Sequence, residues 1–434
     1  MQPRARLLRT GYVALVLASG AMLPATPAPA QDGAAVAIAA EVAARDGTTR
    51  LTLTLSRAVE ARAFLMERPN RAVIDLPEVN FQIPQEAGRE SGRKRETARG
   101  ELIASFRYGL FAPGRSRIVV DLAGPAVVGA IETTTTREGA VLLSIPFRKV
   151  DRDTFRKAAV AGDPSPSPSP STAKAAPARE SADTRPLIVI DAGHGGTDPG
   201  AIAATGVFEK DIVFGFAQSF AERLEQTGRY RLLMTRDRDV FVPLAERVRI
   251  ARDAKADLFV SIHADSISAA PQVKGATIYT GSEKATDGES ARLAERENRA
   301  DAAAGTDSGE APADVADILQ ELTLRETRGF SAGFAGRLMG QLSPVMEMSA
   351  KPHREAGFKV LRSPDVPSVL IELGYLSSKS DLEKLQSEEW RMRVTGSMAK
   401  AVDLFFSGRA TLSRPAPAAP AAPRKAAAIA PVSP

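Results

Sequence analysis

Unbroken apolar runs ending in a histidine or a carboxylate punctuate the second half of this chain. Leu187-Ile188-Val189-Ile190-Asp191-Ala192-Gly193-His194, Leu258-Phe259-Val260-Ser261-Ile262-His263 and Ser368-Val369-Leu370-Ile371-Glu372 each read as a strand buried on both faces. With runs at 231–235, 274–280 and 357–361 they predict six strands, and helical periodicity falls near 210–226, 244–255, 329–348 and 379–406. That alternation predicts an α/β domain over residues 186–407, its mainly parallel sheet flanked by helices. The first half reads differently. Arg50–Leu55, Arg71–Leu76, Arg117–Leu122 and Ala140–Ile145 are short alternating or β-branched runs separated by polar or Gly/Pro breaks. They predict a small all-β sandwich over about 34–150.

Composition marks the boundaries. A Pro-Ser repeat from Pro164 to Ser171, followed by an Ala- and charge-rich stretch to Arg185, predicts an extended spacer over 151–185. A Pro/Ala-rich tail without aromatics, 408–434, is expected to be disordered. At the N-terminus Arg4, Arg6 and Arg9 precede an apolar stretch from Tyr12 to Leu23, and Ala28-Pro29-Ala30 offers a cleavage site. Residues 1–30 therefore read as an export signal, with an apolar core too short to span a bilayer. No transmembrane segment is expected elsewhere. In a Gram-negative source the mature protein would be periplasmic.

The net charge of +5 suggests a polyanionic partner until its distribution is read. Three positive charges lie in the signal and four in the tail, so residues 31–408 carry −2. Nucleic-acid binding is excluded on that ground. The chain has no cysteine, so it has neither disulfides nor thiolate ligands to offer.

Two of the three histidines close probable buried strands, the setting of a metal site. Ligands in α/β sheets bind outside the carboxyl ends of the strands, which would bring His194 and His263 into one crevice. A strand-end histidine also serves commonly as a hydrogen-bonded structural residue. Glu209, at the start of the helix expected after Gly206, is the best third ligand, and the alternative for it is a solvated first-turn carboxylate facing the helix dipole. Two histidines and one carboxylate would leave zinc a position for water. Glu372, at the end of an apolar run, would be costly as an unpartnered charge. The Gly193-Gly195-Gly196 loop lacks the lysine and hydroxyl of a phosphate cradle, and its glycines suit close backbone approach at the metal. His353 is left outside the metal set.

At these residues the chain resembles the type-3, zinc-dependent N-acetylmuramoyl-L-alanine amidases of peptidoglycan. The motifs are Ile190–Gly196 with Asp198 and Gly200, Glu209-Lys210-Asp211, Ser261–Asp265 and Val369–Ser377, in order across about 186–407. The resemblance implies His194, Glu209 and His263 as zinc ligands and Glu372 as catalytic base. Zinc would polarise the amide between N-acetylmuramic acid and L-alanine, and Glu372 would relay the water proton to the departing amine. Asp265 and Ser378 stand where the family often has asparagine. The paired ends Ile74-Asp75-Leu76-Pro77 and Val120-Asp121-Leu122, with Phe106–Gly109, resemble an AMIN domain, which implies cell-wall targeting and a role in daughter-cell separation.

The charged, Ala-rich stretch 281–327 interrupts the α/β pattern. Division-associated members of the family carry a helical insertion here that blocks the site. The stretch is expected to be a regulatory, autoinhibitory insertion in which Glu297 contacts the metal in the resting state, the alternative for Glu297 being a solvated polar face; the resemblance implies a LytM-type protein as activator. Two alternative readings remain: a catalytically silent peptidoglycan-binding protein, and a different metallopeptidase acting on the stem peptides. The ligand set favours zinc over cobalt or manganese without excluding them.

Overall fold

The computed structural model describes residues 34–83, 102–161, 183–267, 273–306 and 318–412. The expected export signal at 1–30, the Pro-Ser repeat, residues 307–317 of the expected insertion and the tail beyond 412 lie outside them. From Ala34 onward the two halves form one unit of mutual contacts.

The first half is a two-layer β-sandwich. One sheet runs in the order β5 (Val79–Phe81), β1 (Ala35–Arg45), β2 (Thr48–Leu55), β10 (Val141–Lys149), β8 (Ala126–Val128), with β9 (Glu132–Thr135) also on β10. The other runs β3 (Arg62–Met66), β4 (Arg71–Pro77), β7 (Arg115–Leu122), β6 (Ile103–Ala112). Side chains alternate across a strand, so Leu51, Leu53 and Leu55 of β2 and Val141, Leu143, Ile145 and Phe147 of β10 line the core against Ile74, Ile118 and Val120 of the facing sheet. On the outward face of that second sheet, Val73 and Val119 are also completely buried. A free outer face of a sandwich would be wet, so another part of the chain covers this one.

The spacer expected from residue 151 starts instead with a helix, α1 (Arg152–Ala161). Phe155 explains the difference: its ring is fully buried in the sandwich core, and a helix anchored by it packs on β3 and β8.

The second half is a six-stranded mixed sheet, ordered β12 (Arg231–Met234), β11 (Leu187–Ala192), β13 (Leu258–His263), β16 (Ser368–Glu372), β14 (Ala276–Gly281), β15 (Met348–Ala356). The first four strands are parallel, β14 is antiparallel to β16, and β15 is parallel to β14. Its helices are α2 (Glu209–Glu225), α3 (Leu244–Asp253), α4 (Gly288–Glu297), α5 (Ala300–Ala303), α6 (Ile318–Leu342), α7 (Lys379–Leu385) and α8 (Glu388–Leu412). Ile188, Ile190, Val260, Ile262, Val369 and Ile371 meet α2, α6 and α8 on one face, with Phe216, Phe220, Phe334 and Met398 among the fillers. Val189, Phe259 and Leu370 meet Leu244, Leu293 and Phe358 on the other. Burial on both faces is why these strands are apolar without alternation.

Four expected elements differ. The strand expected at 357–361 is a 3-10 turn at Lys359–Leu361 whose Val360 and Leu361 are buried, while the edge strand is the polar stretch before it. The helix expected at 329–348 is α6, which begins at Ile318 within the expected insertion and ends at Leu342. The helix expected at 379–406 is two, because Ser387 accepts a hydrogen bond from the Trp390 amide at 3.3 Å and starts α8 afresh. The tail expected from 408 instead continues α8 to Leu412.

Candidate metal centre

At the carboxyl end of β11 the chain turns through Gly193 into His194, whose φ of 58° lies in the left-handed region. A non-glycine residue there costs on the order of 1–3 kcal/mol, so the surroundings must hold it. Arg247 does so: from α3, it donates Nη2 to the His194 carbonyl at 2.9 Å, Nη1 to the Ala192 carbonyl at 2.8 Å and Nε to the Val242 carbonyl at 2.9 Å. Arg236 donates to the carbonyls of Ala192, Gly193 and Lys210, tying the same turn to α2. Gly193 has to be glycine because a Cβ there would run into the imidazole of His263, reaching 2.8 Å from Nδ1.

The His194 ring is oriented by Asp198, whose Oδ2 lies 2.9 Å from Nδ1. This leaves Nε2 facing the crevice. Glu209, the first residue of α2, is completely buried, its Oε2 accepting from the Ala201 amide at 2.8 Å and its Oε1 from the Ala264 amide at 2.9 Å. That Oε1 stands 3.0 Å from His194 Nε2 and 3.2 Å from Nδ1 of His263, which ends β13. From the other side Glu297, the last residue of α4, brings its Oε2 to 3.5 Å from His194 Nε2 and 3.3 Å from His263 Nδ1. Glu372 ends β16 in register beside His263. Its Oε2 accepts from the Asp265 amide at 3.0 Å, whereas Oε1 is buried with no hydrogen-bond partner among the described residues, as is His194 Nε2.

The structure thus brings His194, Glu209, His263, Glu297 and Glu372 to one crevice, and leaves His353 outside it. His353 lies on the edge strand β15, with Nε2 at 3.0 Å from Thr280 Oγ1. Ser378 caps α7, accepting from the Asp381 amide at 3.3 Å.

Sequence reasoning missed the support beneath the crevice. Asp191 is completely buried and accepts from Arg247 Nη1 at 2.7 Å, Thr235 Oγ1 at 2.6 Å and Ser261 Oγ at 2.6 Å. A carboxylate inside an apolar run was the available signal, because such a charge requires a buried cation. In the sequence Asp265 is only a departure from the family pattern. Here it pairs with Arg296 of α4.

Burial raises the pKa of Glu372 well above the carboxylate range, and neighbouring Asp265, Glu209 and Glu297 raise it further. Burial also raises Glu297, and it takes Asp265, beside Glu297 and Glu209, up to about 7. Burial works against a charge on His194, yet Glu209, Asp198 and Glu297 outweigh it and hold the pKa well above the ordinary value. For Glu209 burial is likewise outweighed by the two histidines, and its pKa falls well below the usual range. Glu372, Glu297, Asp265 and His194 therefore keep protons to higher pH in the folded chain than in the unfolded one. Asp191, Asp198 and Glu209 shift downward, so their effect changes only below the ordinary carboxylate values near ~4. Above about pH 5 the folded chain binds more protons than the unfolded chain, and stability must fall as pH rises through about 7, where Asp265 titrates. Chelator-treated protein is expected to melt at lower temperature at pH 8.5 than at pH 5.5; an equal or higher melting temperature would contradict the cluster's electrostatics.

A family profile described as N-acetylmuramoyl-L-alanine amidase matches residues 188–403, and an AMIN domain profile matches 39–142. N-acetylmuramoyl-L-alanine amidase AmiC of Neisseria meningitidis is 32% identical over 374 residues, covering 83% of this chain and 87% of its own. The chain belongs to the N-acetylmuramoyl-L-alanine amidase family. It is a peptidoglycan amidase with an AMIN domain ahead of its α/β domain. The amidase is also similar to AmiA of Escherichia coli, 34% identical over 230 residues, covering 53% of this chain and 78% of the relative. Among solved structures, the AmiC2 amidase of Nostoc punctiforme is 26% identical and covers 51% of this chain and 97% of its own, with a TM-score of 0.37. No helix among the described residues is long and apolar enough to cross a membrane.

Proposed function

We propose that this amidase holds a zinc ion with His194, Glu209 and His263, uses Glu372 as general base, and rests with Glu297 in the position that water needs. The observation that carries this reading is the convergence of His194 Nε2, His263 Nδ1, Glu209 Oε1 and Glu297 Oε2, with cross-pair separations of 3.0–3.5 Å. Ligands about 2.0–2.1 Å from a tetrahedral zinc lie roughly 3.3 Å from one another, so the spacing suits that ion. A buried Nε2 without a hydrogen-bond partner is a further mark of a ligand atom. When bound, zinc supplies Lewis acidity toward the amide carbonyl and acidifies a water at its open position.

The protein's own groups account for the remaining steps. Asp198 holds the proton on His194 Nδ1 and so presents the Nε2 lone pair. The Asp265 amide fixes Glu372 Oε2; the charge of a bound dication would offset the burial that favours the protonated form, and the unpartnered Oε1 would then take the proton of the attacking water and pass it to the departing L-alanine nitrogen. The AMIN domain would bring this chemistry to the wall at division sites in the periplasm, and a LytM-type activator would withdraw α4.

The test is mass spectrometry of muropeptides after digestion of purified sacculi by the mature chain and by Glu372→Ala, each with zinc and a LytM-type activator. Free stem peptides beginning at L-alanine, from the wild type alone, are expected. Cleavage inside the stem would favour another metallopeptidase, and uncut muropeptides a binding protein. Glu297→Ala is expected to raise activator-independent release of dye-labelled sacculus fragments about tenfold, the effect of removing ~1.4 kcal/mol of occlusion. Unchanged release would sink the resting-state role of Glu297.

A further inference from the structure

The buried outer face of the AMIN sandwich is covered by the segment that carries Glu297. Six residues beyond Glu297, α5 ends at Ala303, and the carbonyls of Ala302, Ala303, Ala304 and Gly305 face three AMIN arginines. Arg71 donates Nη1 to the Ala302 carbonyl at 2.6 Å. Arg107 donates Nε and Nη2 to the Ala303 carbonyl at 3.0 and 2.5 Å. Arg117 donates Nη1 to the Gly305 carbonyl at 2.9 Å and, at 3.4 Å, to that of Ala304. Carbonyls at a helix C-terminus lack intrahelical partners and carry the negative end of the dipole, so cations suit them.

The arginines are aimed before they arrive. Asp121 accepts from Arg71 Nε and Arg107 Nη1, both at 2.6 Å, and Asp75 accepts from Arg117 Nε at 2.6 Å and Nη2 at 2.9 Å. The Arg117 guanidinium also lies 3.6 Å from the centre of the Phe111 ring. Apolar contact completes the seam: Ala304 is fully buried with Phe111 and Phe241, and Gly305, at φ +71°, sits so close that a Cβ would be 2.8 Å from Val73 and 3.3 Å from Val119. These contacts are directed at the short stretch that positions Glu297, where targeting to the wall alone would require none.

We propose that the AMIN domain is the latch of the resting enzyme: Arg71, Arg107 and Arg117 clamp residues 302–305 and so hold Glu297 between His194 and His263. The proposal rests on Glu297 closing the site, and it adds that lifting the AMIN face from 302–305 frees the crevice. Its test is amide hydrogen exchange on the purified mature chain, comparing wild type with Arg71→Ala/Arg107→Ala and with Gly305→Leu. In both variants the amides of Asn298, Ala303, Ala304 and Thr306 are expected to exchange at least tenfold faster, with β2, β10, β11 and β13 still protected. Wild-type exchange at those four amides in a variant that keeps its strand protection would overturn the latch. Should the arginine pair destabilise the sandwich, Gly305→Leu decides alone, since it leaves the AMIN sequence intact. Dye release by the same variants separates the two ideas: faster exchange with faster hydrolysis upholds the latch, whereas faster exchange without faster hydrolysis leaves only the arginine clamp on residues 302–305 and overturns Glu297 as the plug.

Discussion

Glu372→Gln is expected to lower turnover on sacculi about 10²- to 10⁴-fold, the usual contribution of a positioned general base, while leaving the fold and metal uptake in place. The substitution keeps the size of the side chain and an oxygen for the Asp265 amide, so β16 should retain its register beside His263. It removes the lone pair of the unpartnered Oε1 and with it the proton acceptor. Burial and three nearby carboxylates oppose a charge on Glu372, so a neutral amide relieves a cost. Thermal melting of chelator-treated protein at pH 8.5 should accordingly be unchanged or higher in the variant. Metal content measured alongside separates the roles: lost turnover with full metal marks a base, and lost turnover with lost metal would mark a ligand. Turnover within tenfold of wild type would remove Glu372 from the mechanism.

The parts of the site legible in the sequence are those whose chemistry is local. An apolar run closing on His194, His263 or Glu372 reports a strand buried on both faces and a polar group at its carboxyl end, and both properties survive folding unchanged. The support beneath is non-local. Arg247 is 56 residues from Asp191, and no spacing rule links a helix arginine to a strand carboxylate. The edge strand β15 was hidden for a related reason: Lys351-Pro352-His353-Arg354-Glu355 has one neighbouring strand and an exposed side, so its pairing leaves little hydrophobic signature. The docking of the two halves did leave a trace. In Ala72-Val73-Ile74 and Ile118-Val119-Val120 the central valine is apolar as well as its core-facing neighbours, because residues 302–305 cover the outer face at Val73 and Val119. Read by itself, a short apolar triplet signals only a strand. Its second buried face became interpretable once the partner segment was placed.

Arg247→Ala should cost roughly 3–5 kcal/mol of stability, the penalty for leaving a buried carboxylate without its cation. In an α/β domain of this size that corresponds to a drop of roughly 10 °C in melting temperature. The argument turns on Asp191, which would keep Thr235 and Ser261 as donors but lose the only guanidinium bonded to it among the described residues. The same substitution strips donors from the carbonyls of Ala192 and His194. His194 would then have less to hold it in its left-handed conformation, and the ring that Asp198 aims would be aimed from a looser turn. Metal affinity is therefore expected to fall by about 10- to 100-fold, as it does when groups orienting a ligand are lost. The double variant Asp191→Asn/Arg247→Ala distinguishes the two effects. Neutralising residue 191 should recover much of the stability, since the orphaned charge is gone, but not the metal affinity, since the carbonyls of the turn stay undonated. Recovery of both would mean that the turn holds His194 without Arg247. Recovery of neither would mean that the arginine acts chiefly through the carbonyls of Val242, Ala192 and His194.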